Sequence, residues 1–152
     1  MADARRYRRI AVYSGGEIIG DGVYKLPFLR ALRSAFPEAV IDWVCPGATV
    51  YADRIAPLTV GLLDHVHADV PVGQHKSDLF LPMPLYGGYD LVIDTQQVVW
   101  RSLCARRLSA RGRARRYLLV SEPSTPRRIC WPRLRPSVLL MLRTALLVAA
   151  ST

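Results

Sequence analysis

The stretch Ile10–Leu32, IAVYSGGEIIGDGVYKLPFLRAL, constrains the fold of this chain more than any other. Ile10, Ala11, Val12 and Tyr13 form an unbroken apolar run, the pattern of a parallel strand covered on both faces. Ser14, Gly15 and Gly16 break it, and glycine lets the backbone turn where a Cβ would clash. Gly20 and Asp21 follow. Asp is a preferred N-cap because its carboxylate accepts the orphan N–H groups of a helix start, so a helix is expected to begin at Asp21. Beyond it Val23, Leu26, Leu29, Ala31 and Leu32 recur near helical spacing. Pro27 predicts either a kink or a restart of the helix with Pro27 in its first turn. The unit is a strand, a turn and a helix, with a carboxylate at the carboxyl end of the strand, where open α/β sheets bind ligands. Two readings of Asp21 stay open on the residues alone: a helix cap, or a carboxylate presented to a ligand. Gly15 and Gly16 are adjacent and the next glycine is Gly20, which excludes the G-x-G-x-x-G dinucleotide fingerprint.

The remaining chain supplies further elements of the same kind. Val40–Cys45 predicts a second strand, with Val40, Asp42 and Val44 on one face and Ile41, Trp43 and Cys45 on the other. A buried Asp42 needs a partner, which sets this strand near a sheet edge or a ligand cleft. Ala48–Ile55 predicts a short helix stopped by Pro57. Leu62–Val70 alternates and predicts a third strand, with His65 and His67 on one face. That spacing suits two ligands of a metal site lacking its third, but the neighbouring polar positions read as a solvated face. His75 lies in a loop with no partner visible. Residues 69–88 form a long Pro- and Gly-bearing connection of the sort that carries function. Tyr89–Gln96, YDLVIDTQ, is the clearest strand of the chain. Asp94 and Gln96 stand at its carboxyl end, so a parallel sheet brings them to the rim that holds Gly15, Gly16 and Asp21. Val98–Ala110 predicts a helix with Val99, Leu103 and Cys104 inward and Arg101, Arg106 and Arg107 outward, stopped by Gly112. Arg116–Val120 predicts a short strand, and Pro136–Ala150 has helical apolar character.

Charge divides the chain. Residues 1–100 carry a net −2, whereas residues 101–152 hold twelve arginines against the single acid Glu122, a net +11. After Ser121 the run SEPSTPRRICWPRLRP has little periodicity. The expected organisation is therefore a Rossmann-like α/β domain over 1–120, a parallel sheet with flanking helices, followed by a basic tail over 121–152. Cys45, Cys104 and Cys130 are odd in number and widely spaced, which points to neither a disulfide framework nor zinc and fits a reducing cytoplasm. No apolar segment of signal-peptide length follows the basic MADARRYRR. No segment reaches the roughly 20 apolar residues of a membrane span; Ser137–Ala150 is too short and carries Arg143.

Order and spacing add a resemblance. Gly20-Asp21, Leu26-Pro27, Arg30-Ala31-Leu32, Phe36-Pro37 and Asp42-Trp43, followed by the later Asp94-Thr95-Gln96, resemble the opening of the heptosyltransferase family, glycosyltransferase family 9, which builds the lipopolysaccharide core. The resemblance spans residues 9–108. Where many members follow Asp-x-Gln with Gly and a basic residue, this chain has Gln97 and then Arg101. The resemblance implies one half of a two-domain GT-B enzyme, lacking the half that holds the donor diphosphate. It implies transfer of a sugar, typically heptose, from a nucleotide-sugar donor to a glycolipid acceptor without a metal or other cofactor. Asp21 matches the general base, and Gly15, Gly16, Gly20, Asp94, Gln96 and Arg101 become acceptor-side residues.

Three explanations of the basic tail stay open: attraction to the acidic inner core or the inner-membrane surface, electrostatic nucleic-acid binding, or a frameshifted, degenerate reading of the gene. No nucleic-acid-binding motif supports the second. The competing functional reading is a non-catalytic Rossmann-like module that binds an anionic ligand or partner through its arginines. The two differ in that a domain cut from a larger enzyme exposes an apolar patch for its missing half.

Overall fold

The computed structural model describes residues 7–80, 88–95 and 98–108, together with the backbone of 117–119. The chain runs β1 (Arg9–Tyr13), α1 (Ile19–Ala35), β2 (Val40–Val44), β3 (His65–His67), β4 (Leu91–Asp94), α2 (Val99–Arg106) and β5 (Tyr117–Leu119). All pairings are parallel, in the order β3-β2-β1-β4-β5. With α1 on one face and α2 on the other, this is a Rossmann-like α/β fold, as the apolar strands and the intervening helical stripe predict.

Period-two alternation sorts the core into two layers. Ile10, Val12, Ile41, Trp43, Leu91 and Ile93 face α1, which buries Leu26, Phe28, Leu29 and Leu32 against them. Each such side chain contributes roughly 1.5–3 kcal/mol by leaving water. Ala11, Tyr13, Val44 and Val92 face the other way, against Cys104, Ala105 and Leu108 at the end of α2 and against Val70 and Val72. Cys45 and Cys104 are free and buried, and burial pushes both thiols above their usual range.

Several local expectations are corrected. Helix α1 begins at Ile19, with Ile18 as N-cap and no side-chain cap bond, so Asp21 is the third helical residue rather than the cap. The helix runs through Pro27 without a restart. Pro27 leaves the Val23 carbonyl without its helical N–H, and Val23 is half-exposed, so water can reach that carbonyl. Residues 48–55 form no α-helix; short 3₁₀ turns cover Val50–Ala52 and Ala56–Thr59. β3 is only three residues long, because Leu62 and Leu63 turn back onto the Thr59 carbonyl. In α2, Cys104 is buried and Arg106 exposed as expected, but Val99 and Leu103 are exposed, and Arg101, Ala105 and Leu108 turn inward. Arg107 is not a solvated cation: its Nη1 donates to the carbonyls of Asp78 and Leu79 at 2.7 and 2.6 Å. The tail over 121–152, its expected helix and Cys130 lie outside the described residues.

Candidate functional site

The carboxyl ends of β1, β2 and β4 meet at one rim, and backbone bonds lock them together. The Ser14 N–H donates to the Val44 carbonyl at 3.0 Å, and the Thr95 N–H to the Tyr13 carbonyl at 3.0 Å. The Thr95 hydroxyl donates to that same carbonyl at 3.1 Å. From this rim the turn 14–18 leads into α1.

Glycine has a physical reason at two positions in that turn. Gly16 has φ +74°, the left-handed region that L-residues avoid. At Gly15 a Cβ would fall 3.1 Å from Pro46 Cγ and 3.6 Å from Arg101 Nη1. The turn thus lies between the loop after β2 and the guanidinium of Arg101 on α2, which stands beside Gly15. Gly20 is different: it is exposed on the first turn of α1, and a Cβ there would meet nothing. Its presence has no steric reason in the fold.

Asp21 is exposed in the first turn of α1, where the helix dipole attracts negative charge. No described residue hydrogen-bonds its carboxylate. Its field and that of Glu17 reach Tyr51, whose phenol burial has already pushed far up and whose hydroxyl donates to the Gly22 carbonyl at 2.8 Å. Asp94 is fully buried at the end of β4, on the α2 side. There it acts with burial to keep the Tyr13 phenol protonated, while Arg101 pulls the other way. Gln96 lies outside the described residues.

The structure adds three residues the sequence did not single out. Glu17 is buried behind the glycine turn. Lys25 Nζ lies 3.4 Å from its Oε1 and donates to Ser14 Oγ at 2.9 Å, while the Thr49 hydroxyl donates to Glu17 Oε2 at 3.1 Å. Lys25 also lies over the Trp43 ring, 5.6 Å from its centroid. Chemically, the rim offers an exposed carboxylate able to accept a proton, a guanidinium for anionic or hydroxyl-rich ligands, and a turn held rigid from behind.

No family model matches the chain, and no curated protein matches its sequence. Among solved structures it is similar to the glycosyl transferase family 9 from Veillonella parvula DSM 2008, with a TM-score of 0.51 and 21% identity. The likeness covers 76% of this chain and 32% of that one, so the chain spans about a third of that structure's length. At this identity the likeness shows the fold alone, the Rossmann-like α/β arrangement. Among the described residues no helix is long and apolar enough to cross a membrane.

Proposed function

We propose that this chain is the acceptor-side domain of a sugar transferase, moving a heptose-type sugar from a nucleotide-sugar donor to a lipopolysaccharide-type acceptor, with Asp21 as the general base. The observation that carries the reading is the exposed carboxylate of Asp21, to which no described residue hydrogen-bonds, in the first turn of the helix that follows the Gly15-Gly16 turn, on a fold similar to that of a glycosyl transferase. Asp21 takes the proton of an acceptor hydroxyl as its oxygen attacks the anomeric carbon of the donor. The bond from that carbon to the nucleotide diphosphate breaks, and the diphosphate leaves with the electron pair. Arg101, with Gly15 and Gly16, orients the acceptor's acidic sugars. No metal or cofactor is assigned to this step.

The donor's diphosphate is assigned to a second domain. Support for a docking partner comes from Ile18, Ile19, Val23 and Tyr24, apolar side chains left 43–69% exposed around Asp21. The arginines of residues 101–152 add attraction to an anionic membrane surface, which suits a cytoplasmic enzyme working at the inner membrane.

The test is a titration of the full chain with deacylated inner-core oligosaccharide, followed by amide chemical shifts. Shifts are expected at residues 14–21, 95 and 101. Arg101→Ala should weaken binding about ten- to hundredfold, the value of a hydrogen bond to a charged group. Asp21→Asn should leave binding nearly intact, because a base is not an anchor. Absent binding, or an Arg101→Ala variant that binds like the parent, refutes the acceptor assignment. The chain alone should transfer no sugar; turnover without a second domain refutes the division of labour.

A further inference from the structure

On the sheet face opposite α1, away from the rim, strand pairing assembles a second cluster. β2 and β3 pair with Asp42 opposite His65 and Val44 opposite His67. Alternation then sets Asp42, His65 and His67 on one face. Asp42 is buried, with 1% exposure, while His65 is 61% and His67 31% exposed. His65 Nδ1 lies 2.8 Å from Asp42 Oδ1, and His67 Nε2 lies 3.7 Å from Asp42 Oδ2. The two rings stack with centroids 5.9 Å apart. One ligand atom from each residue lies within 4.8 Å of the others. The pair of histidines thus gains the third ligand that the sequence alone could not supply.

We propose that Asp42, His65 and His67 form a binding site for a zinc-class divalent transition-metal ion. Two imidazole nitrogens and one carboxylate oxygen are a donor set of this class, and three protein ligands leave a fourth position for water. Bonds of about 2.0–2.1 Å place tetrahedral ligands roughly 3.3 Å apart, so closure requires side-chain adjustments of about an ångström. The surroundings suit it. The Tyr89 hydroxyl donates to Asp42 Oδ2 at 2.8 Å and fixes the carboxylate, as outer partners of metal ligands do. The opposing group is Arg9, whose Nη2 stands 3.6 Å from the same oxygen. Arg9 is half-exposed and rests over the Tyr89 ring, so it can withdraw when the ion enters. The ion ties β3, the three-residue edge strand, to β2. This departs from the expectation that the chain holds no metal, and it is independent of the transfer reaction.

The test uses the full chain, with zinc chloride in calorimetry and cobalt(II) in visible absorption. One zinc per chain is expected, together with the intense d–d bands of tetrahedral cobalt and a thermal midpoint that rises with occupancy. His65→Ala and His67→Ala should each weaken zinc at least about tenfold, within the range of a lost ligand or ligand partner. His75→Ala, the only other histidine of the chain, should change nothing. Arg9→Ala should tighten binding by removing the competing cation. Circular dichroism of each variant checks that the fold is kept; because His65 is largely exposed, its alanine variant should stay folded. No zinc binding by the parent, or equal binding by the His65→Ala/His67→Ala double variant, overturns the proposal.

Discussion

The buried pair behind the glycine turn makes a prediction whose magnitude depends on which partner is removed. The Glu17 side chain has no exposure, whereas Lys25 keeps 25%. In Lys25→Met the carboxylate stays sealed from water with one neutral donor, the Thr49 hydroxyl at 3.1 Å. Breaking a buried pair in this way costs about 3–5 kcal/mol, and the lower end applies because Lys25 is not fully enclosed. In Glu17→Gln the ammonium retains Ser14 Oγ at 2.9 Å, the Trp43 ring and its opening to water. Its long stem can carry the charge outward, so that loss should be only about 1–1.5 kcal/mol, one ordinary hydrogen bond. The Glu17→Gln/Lys25→Met double variant should be more stable than Lys25→Met alone, because it leaves no stranded charge. Urea unfolding of the full chain, followed by tryptophan fluorescence and circular dichroism together, measures all three differences. Unchanged m-values would show that the native and unfolded states keep their exposed areas. Equal losses in the two single variants would refute the reasoning, since a carboxylate that tolerates the loss of its cation is not sealed from water.

Two further outcomes follow from the scaffold. Arg33 Nη2 donates to Asp64 Oδ2 at 2.6 Å and the Ile41 N–H donates to the same oxygen at 2.7 Å. Burial opposes ionisation of Asp64, but these two donors outweigh it and hold its carboxyl below the usual range. A carboxyl depressed in the folded state adds stability that is fully present above its unfolded value of about 3.9 and is lost as pH falls through its folded value. Asp64→Asn should therefore flatten the acid limb of stability against pH below about pH 4, and an unchanged limb would exclude the clasp. Gly73 has φ +85°, and a Cβ there would fall 2.5 Å from the Tyr13 hydroxyl oxygen. That hydroxyl donates to the Val72 carbonyl at 2.7 Å in a buried setting. Gly73→Ala should cost about 2 kcal/mol or more from backbone strain and the displaced hydrogen bond; an unaltered thermal midpoint would contradict it.

β1, β2 and β4 were legible because strands buried on both faces must be apolar along their length, and few other structures write that pattern. The start of α1 was not legible to within a turn. Asp is favoured both as N-cap and, through the helix dipole, at the third helical position, so its presence near a helix start does not fix the boundary. The extent of β3 was overread because Leu62 and Leu63 satisfy alternation, yet Arg33 reaches from α1 to the Leu62 carbonyl and holds it in a turn. The inward face of α2 was misjudged for a related reason. Apolar Val99 and Leu103 look like core, but Arg107 anchors the helix end to the carbonyls of residues 78 and 79, and Ala105 and Leu108 join the expected Cys104 inside. Within the rim, the break that Gly15 and Gly16 make after β1 was readable from the chain, whereas Arg101 was expected to face outward and was named only through the resemblance. Glu17 was not readable, because an acid in a glycine turn carries no spacing signal until the helix folds Lys25 over it. Asp42 was recognised as needing a partner, but Tyr89, 47 positions on, became that partner only through the order of strands in the sheet.

The position of the Glu17–Lys25 pair bears on the role proposed for Asp21. Two apolar side chains of the same volume would avoid the desolvation of an acid and a base, and such replacements are often neutral or stabilising in buried sites. Stability alone therefore gives little reason for a charged pair here. What apolar packing would not supply is direction. Lys25, three-quarters buried in α1, reaches back one turn beyond Asp21 to hold Ser14 and Glu17 on opposite sides of the two glycines. Thr49 grips Glu17 from the loop after β2. The left-handed backbone at Gly16 is thus clamped from both sides, and the helix start three residues later inherits a fixed position. A general base gains most from being held at hydrogen-bond distance from one hydroxyl, since small misplacements of a reacting group sharply lower its effect. On that reading the buried charges serve the exposed one: they are tolerated behind the turn because they fix where Asp21 stands in front of it.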